Sequence, residues 1–281
     1  MSDQDPFAGF VESQDALFHY ARLSTAIEKI LPTGQLKPSR FCDTNDPREY
    51  KFLFLNLIGW SLPPETQPLY DAAHPVFDRI FRHQCKVLCF CSNLPTPINM
   101  PRDTERQIDI PQSPGWNKSR MWSQYGENHS GICLVFSREA LHRKLAELDL
   151  PGGWHEAKQV TYRLHGRIGV NGYTLDGNLL CKQGVEAYCT NHIHLHVDDL
   201  FFTKDIDYRD ESEFRIVVYD RNDTLQYLQI DDAVRGVIAG DRTSEVYFPL
   251  LKQLSAKFNA ECRQVYWDRG EAHLLLFEKE T

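Results

Sequence analysis

No stretch of this 281-residue sequence is apolar for long enough to cross a bilayer. The longest apolar-leaning run, Phe52 to Trp60, is broken by Asn56 and Gly59 and falls well short of the ~20 residues that a spanning helix needs. A basic excess is missing too. The formal net charge is -8 and the pI is near 5.8, which excludes a surface that grips nucleic acid as a whole, because such binding rests on phosphate neutralisation. A local basic groove stays open. Met1 to Phe10 is acidic and lacks a basic segment followed by an apolar core, so no signal peptide is expected. The eight cysteines therefore read as reduced thiols of a soluble cytoplasmic protein and not as a disulfide framework. Internal repeats and low-complexity tracts are absent.

What is present is enough apolar matter, 42% of residues, for a sizeable core. The most informative stretch runs from Tyr208 to Tyr219, Y-R-D-E-S-E-F-R-I-V-V-Y. Its alternating aromatic and β-branched residues predict a strand with Phe214, Ile216 and Val218 on one buried face. Glu211 and Glu213 stand at its entrance, on one face if the strand begins at Glu211. Two adjacent carboxylates in a partly dry cleft repel, which separates their pKa values into one acid-like and one ionised member. The plainer alternative is a solvated edge strand whose glutamates pair with Lys204, Arg209 or Arg215.

Along the chain, Ala16 to Tyr20 reads as a strand. Ser24 to Leu31 reads as a helix capped by Ser24 or Thr25 and stopped at Pro32 and Gly34. Thr44-Asn45-Asp46-Pro47 signals a turn, followed by a helix from Glu49 to about Ile58. Nine prolines fall between Pro63 and Pro114, with one helix and the strand Lys86 to Cys91 among them. Residues 94–118 form a long Pro-rich loop, a candidate lid. Met121 to Phe136 predicts a short helix, a turn at Asn128 to Gly131 and a strand from Ile132. Trp122 and Tyr125 share a helix face, a spacing that also suits a core. Ser137 to Leu148 is an amphipathic helix, Val160 to Leu164 a strand and Val234 to Ala239 another. Glu245 to Phe258 is a helix, and Cys262 to Tyr266 and His273 to Phe277 are strands. With residues 1–15 as an N-terminal tail, 16–281 reads as a single α+β domain with a central, mostly antiparallel sheet and flanking helices.

The ordered series Leu17-Phe18-His19-Tyr20, Ile30-Leu31 with Gly34, Asn45-Asp46-Pro47 with Glu49, and Cys89-Phe90-Cys91-Ser92 continues far along the chain. It runs through Met121-Trp122 with Tyr125, His129 and Gly131, then Lys204 with Tyr208, Glu211, Glu213, Phe214 and Arg215, to Ile238 and Gly240. This series resembles a bacterial family that carries only a domain-of-unknown-function label, over about Ala16 to Gly240. Tyr208 stands where that family usually has tryptophan. A smaller set of positions resembles ADP-ribosyltransferases: a His-Tyr strand, a helix closing on glycine, a middle strand ending in serine and a late Glu-x-Glu. That second resemblance implies an ADP-ribosyltransferase-like fold with NAD as substrate. His19 and Tyr20 would contact the cofactor, His19 on a ribose. Ser92 would support the nicotinamide-ribose region, and Tyr125 or Trp122 would stack on nicotinamide. Glu213 would stabilise the oxocarbenium-like transition state, Glu211 would face the acceptor nucleophile, and Lys204 and Arg215 would hold the pyrophosphate. Glu213→Gln is then expected to keep the fold and abolish activity. A toxin or anti-phage effector acting on a protein or nucleic-acid acceptor follows by analogy.

Other readings stand beside this one. His19 between aromatics also fits a hydrogen-bonded core residue, and the same cleft suits a non-catalytic nucleotide- or protein-binding module. His192, His194 and His196 would share one face if they lay on a strand, which with Asp198 or Asp199 would give a metal-dependent hydrolase. No metal-binding signature surrounds them, and no metal site is assigned.

Overall fold

The computed structural model describes residues 5–51, 55–59, 66–96, 98–99, 113–164, 171–222 and 227–277. Its frame is a nine-stranded mixed sheet. In spatial order the strands are Glu271–Leu276, Glu261–Asp268, Val234–Ala239, Ile132–Ser137, Ala16–Ala21, Cys85–Ser92, Glu213–Tyr219 and Trp154–Gln159, with the short Ser39–Arg40 pairing beside Cys85–Ser92. Neighbours are antiparallel except Val234–Ala239 with Glu261–Asp268. The predicted α+β architecture with a mostly antiparallel sheet is thus present.

The Glu213–Tyr219 strand is interior, flanked by Cys85–Ser92 and Trp154–Gln159, and all seven of its residues are buried. The solvated edge strand is therefore wrong, while the pairing of its glutamates with Lys204 and Arg215 is present. Strand parity explains its composition. Phe214, Ile216 and Val218 face one core, which the helix Arg138–Ala146 covers through Leu141 and Leu145. On the other face, Val217 and Tyr219 pack beneath the helices Thr66–Asp78 and Val185–Leu195. That same face changes character towards the strand's beginning, where Arg215 and Glu213 follow in the places of apolar residues.

Several expected elements differ. Residues 1–15 are no tail over their described part: Pro6–Val11 is a helix whose Asp5 cap accepts from the Phe7 N–H at 3.0 Å, and Phe7 and Val11 enter a third core with Phe18 and Trp122. Such a cap contributes about 1 kcal/mol. The helix expected from Glu49 to Ile58 ends at Tyr50, and Asn56–Ile58 instead pairs with Thr174–Asp176. Between Leu23 and Thr33 the chain is helical as expected and closes on Gly34 at φ 66, but Arg22 and not Ser24 or Thr25 occupies the cap. Most of the proposed lid, residues 94–118, lies outside the described residues; Ile98–Asn99 pairs with Tyr162–Arg163.

Candidate active site

The sheet opens beside the middle of Cys85–Ser92. On one side, that strand pairs along its length with Glu213–Tyr219. On the other it pairs with Leu17 and Phe18 at Ser92 and Cys91, and with Ser39 and Arg40 at Val87 and Lys86. Leu88 to Phe90 has no strand partner on that side among the described residues. A cleft of about 270 Å³ occupies the gap, walled by residues that include His19, Tyr20, Lys37, Tyr125, Glu211 and Glu213.

His19 fills part of the opening. Its Nδ1 lies 3.0 Å from the Cys89 carbonyl, so the ring donates there and leaves Nε2 as the unprotonated nitrogen. Burial lowers the His19 pKa, and the bond to Cys89 only partly offsets this, so the neutral ring is favoured. Tyr20 also lines the cleft, although its hydroxyl already donates to the Gly115 carbonyl at 2.7 Å.

The carboxylates are brought together by a turn, not by strand parity. Ile206–Glu211 is a 3-10 helix capped by Asp205, and Ser212 adopts a left-handed φ of 46 before the strand begins at Glu213. That conformation is costly for a residue with a Cβ, and it is held from several directions. The Ser212 carbonyl accepts from the Ser92 N–H at 2.9 Å and from its hydroxyl at 3.0 Å, while Ser212 Oγ bonds Thr96 at 3.0 Å and accepts from Lys118 Nζ at 2.9 Å. The Glu213 N–H donates to the Tyr162 hydroxyl at 2.9 Å. Ser92, expected to support a nicotinamide ribose, is thus a buried positioning residue outside the cleft lining.

Lys204 lies between the two glutamates. Its Nζ is 2.6 Å from Glu211 Oε2 and 3.0 Å from Glu213 Oε2, and it lies 4.5 Å from the centroid of the Tyr208 ring. The lysine comes from the short strand Thr203–Asp205, which runs parallel to Thr161–Arg163 and sets Lys204 opposite Tyr162. Arg215 donates Nε to Glu213 Oε1 at 2.5 Å, Nη2 to Glu213 Oε2 at 3.0 Å and Nη1 to the Phe201 carbonyl at 2.7 Å. Glu49 Oε1 lies 2.6 Å from Nη2, an ion contact too bent for a good hydrogen bond. Glu49 sits on the helix Pro47–Tyr50, which Asp46 caps by accepting from the Arg48 N–H at 3.0 Å. The Asn45-Asp46-Pro47 turn is therefore the support for a buried carboxylate.

These contacts correct two assignments. Arg215 is only 1% exposed and its donors are engaged within the protein, while Lys204 is held by two carboxylates. Neither is available to a pyrophosphate. Trp122 is fully buried, donates Nε1 to the Trp116 carbonyl at 2.8 Å and packs edge-on against Tyr20, so it supports the cleft from behind. Tyr125, three residues on, lines the cleft and donates to Glu211 Oε1 at 3.2 Å.

Glu49, Glu211 and Glu213 face Lys204 and Arg215, and each of the five is less than a tenth exposed. Fully ionised, this group has one carboxylate in excess. Burial pushes Glu213 up, but the Arg215 and Lys204 charges outweigh it and hold its carboxyl well below the usual range. Glu211 is raised by burial and by the Glu213 charge, with Lys204 only partly countering them. Glu211 is therefore the member of the group in which a proton is favoured, beside Glu213, in which it is disfavoured. Cys89 adjoins Glu213, and burial followed by that negative charge keeps it a neutral thiol.

Residues 121–216 match the model of a family described as a protein of unknown function, DUF2971. The matched segment carries Met121, Trp122, Tyr125, His129, Gly131, Lys204, Tyr208, Glu211, Glu213 and Arg215, while His19, Glu49 and Cys89 lie before it. No curated protein and no solved structure matches the chain significantly.

Within the DUF2971 segment the structure accounts for the aromatic at 208. Tyr208 carries Lys204 on its ring and also meets the Arg48 and Arg120 guanidinium groups at 5.4 and 5.5 Å from its centroid. The histidine-rich run in the same segment is no strand: His192 and His194 lie in the helix Val185–Leu195 and His196 caps its end. His192 bonds the Gly172 carbonyl and Tyr188, His194 stacks on Trp154, and Asp198 and Asp199 pair with Lys158 and Arg163. No cluster fit to hold a metal occurs among the described residues. No helix among them is long and apolar enough to cross a membrane, and all eight cysteines carry free thiols.

Proposed function

We propose that the cleft binds NAD and that the chain is an ADP-ribosyltransferase-like enzyme in the cytoplasm, passing ADP-ribose to a macromolecular acceptor, protein or nucleic acid. The observation that carries this reading is that His19, Tyr125 and the Glu211–Glu213 pair, distant in sequence, wall one cleft at the opening of the sheet. An ADP-ribosyltransferase-like architecture, and a toxin or anti-phage role, belong to the same proposal. In the reaction, the bond from the ribose anomeric carbon to nicotinamide breaks and nicotinamide leaves with the bonding electrons. Positive charge then develops on the sugar, and Glu213, fixed and ionised, stabilises it. The acceptor forms the new bond to the same carbon, and its proton passes to Glu211, the more basic of the two. His19 Nε2 accepts a ribose hydroxyl proton in a hydrogen bond, and Tyr125 offers its ring to nicotinamide.

A second reading, a binding module without turnover, is favoured by the engagement of both glutamates with Lys204. The two differ in nicotinamide release, followed by mass spectrometry during incubation with NAD, alone and with nucleic acid or cell lysate. Glu211→Gln is the informative variant, because the amide keeps the size of the side chain and removes its ability to take a proton. Release by the wild type that falls at least 100-fold in Glu211→Gln, at unchanged thermal stability, supports the enzyme. Binding of NAD without release under any condition supports the module. Unchanged release in the variant removes Glu211 from the chemistry.

A further inference from the structure

The large sheet has two outer strands, and they are finished differently. Trp154–Gln159 is half-buried throughout and carries Glu156 and Lys158, with Lys158 bonded to Asp198 at 2.8 Å and set over the Phe202 ring. Charges of this kind keep an edge from pairing with another chain. Glu271–Leu276 lacks that protection. It holds neither proline nor lysine, its register with Glu261–Asp268 is unbroken, and no described strand pairs with its other side. Its apolar side chains lie on both faces. Ala272 and Leu274 pack with Val265 and Trp267 in the third core, and Leu276, on the same face by parity, is 65% exposed. On the other face Leu275 is 46% exposed, and Tyr266, 52% exposed, lies opposite His273. A partner resting on one face would leave the other wet, whereas an added strand covers both. The backbone is prepared for the same addition. Arg269 at φ 51 and Gly270 at φ 89 form a two-residue turn, so Asp268 and Glu271 exchange hydrogen bonds, and the alternation continues through His273 and Leu275. The N–H and C=O groups of Ala272, Leu274 and Leu276 are therefore aimed away from the sheet.

We infer that this edge is an interface with a second copy of the chain, the two Glu271–Leu276 strands pairing antiparallel about a two-fold axis at Leu274. In that register Leu274 lies opposite its own counterpart and Ala272 opposite Leu276 of the second copy. All three outward residues then exchange hydrogen bonds across the seam, about six in total. On one face the exposed Leu276 meets the small Ala272 beside the paired Leu274 side chains; on the other, His273 meets Leu275. Like charges stay apart, because the two Glu271 carboxylates lie about 20 Å from each other along the seam. A register centred on His273 would instead set two imidazoles against each other and Glu271 against Leu275. The strand thus complements itself in backbone, shape and charge, which selects a second copy over an unrelated extended peptide. This interface is independent of the cleft and of the reaction proposed there.

The test is sedimentation velocity of the full chain from about 5 to 500 µM, a span suited to an interface below the standard ~1,600 Å². Hydrogen exchange is read at Ala272, Leu274 and Leu276 over the same span. Leu276→Lys charges a side chain that is already exposed, and Ala272→Pro removes an N–H that the hairpin does not use. Thermal melting checks that both variants fold. The expected result is a concentration-dependent dimer in which the three amides slow as the dimer fills, with dimerisation at least tenfold weaker in each variant. A monomer throughout the range, or a dimer that either folded variant leaves unchanged, would overturn the interface. Equal protection of the three amides in a monomer at every concentration would overturn it too, by showing that the edge is covered from within the chain.

Discussion

Replacing Arg215 by methionine removes the guanidinium from the centre of the buried network while nearly conserving volume. Both Glu213 oxygens lose their bonds to the guanidinium at 2.5 and 3.0 Å, the Phe201 carbonyl loses its donor at 2.7 Å, and Glu49 loses an ion contact at 2.6 Å. Removing one partner of a buried pair costs about 3–5 kcal/mol, because the other charge stays enclosed without compensation. Against a total stability of roughly 5–15 kcal/mol for a domain, that is a large share. Urea unfolding followed by tryptophan fluorescence measures it. The defect also has a pH signature. In the wild type the Glu213 pKa is held below its unfolded value, so its contribution is fully present above the ordinary carboxylate range and is lost as pH falls through the depressed folded value. Methionine at 215 removes much of that depression, so the gap between wild type and variant should be widest near pH 7 and should narrow as pH falls below about 4.3, an ordinary glutamate pKa. Adding Glu213→Gln to the Arg215→Met background should recover about 1 kcal/mol or more, since it deletes one uncompensated charge. A single-variant cost below about 1 kcal/mol, or a pH-independent gap, would refute the ion-pair account and with it the fixed charge assigned to Glu213. The same reasoning revises the expectation that Glu213→Gln keeps the fold unharmed: that change leaves two buried cations with one partner fewer.

Two more outcomes follow from the geometry. Tyr208→Leu removes the ring under Lys204 and should cost about 0.5–2 kcal/mol, the range for a cation over an aromatic face, whereas Tyr208→Trp should stay within about 0.5 kcal/mol of wild type in the same unfolding assay. Equal losses in both would show that packing volume, and not the aromatic face, matters at 208. For His192, burial, with a smaller effect from His196, lowers the pKa to about 4 despite the bond to Gly172. Its neutral-state stabilisation is therefore complete above its unfolded pKa, about 6.5, and is lost as pH falls towards about 4. In an NMR titration, the histidine signal absent from His192→Gln should move near pH 4, and a midpoint above about 6 would contradict the buried, Gly172-bound ring.

Much of the sheet is legible in sequence because its interior strands are β-branched runs: Val234–Ala239 coincides with its expected bounds, and Ile132–Ser137 and Glu213–Tyr219 lie within a residue or two of theirs. Trp154–Gln159 carries no such signal. Its W-H-E-A-K-Q composition is mostly polar and every residue is half-buried, so it is a strand because Glu213–Tyr219 offers it an edge. The one helix expected among the prolines is Thr66–Asp78, and Pro75 inside it hides its bounds. The histidine run shows the converse: its alternation suits a strand, but Tyr188, Cys189 and Ile193 give a helix the buried face it needs.

For the site, the sequence by itself determined that a Glu-x-Glu pair would stand at the entrance of a buried strand, with its two members separated in pKa. It also held the aromatic and histidine residues that border the cleft. Arg215, two residues from Glu213 on the same strand, and Lys204 could be named from the sequence as partners of those glutamates. Only the tertiary structure decided that both are used at once, that Arg209 is not, and that Glu49, from a distant capped turn, joins them. The same holds for the opening between Ala16–Ala21 and Ser39–Arg40, which exists because two segments pair with opposite ends of one strand and leave its middle uncovered. Residue type and spacing are local properties, but charge compensation and a gap in a sheet depend on which distant segments the fold brings side by side.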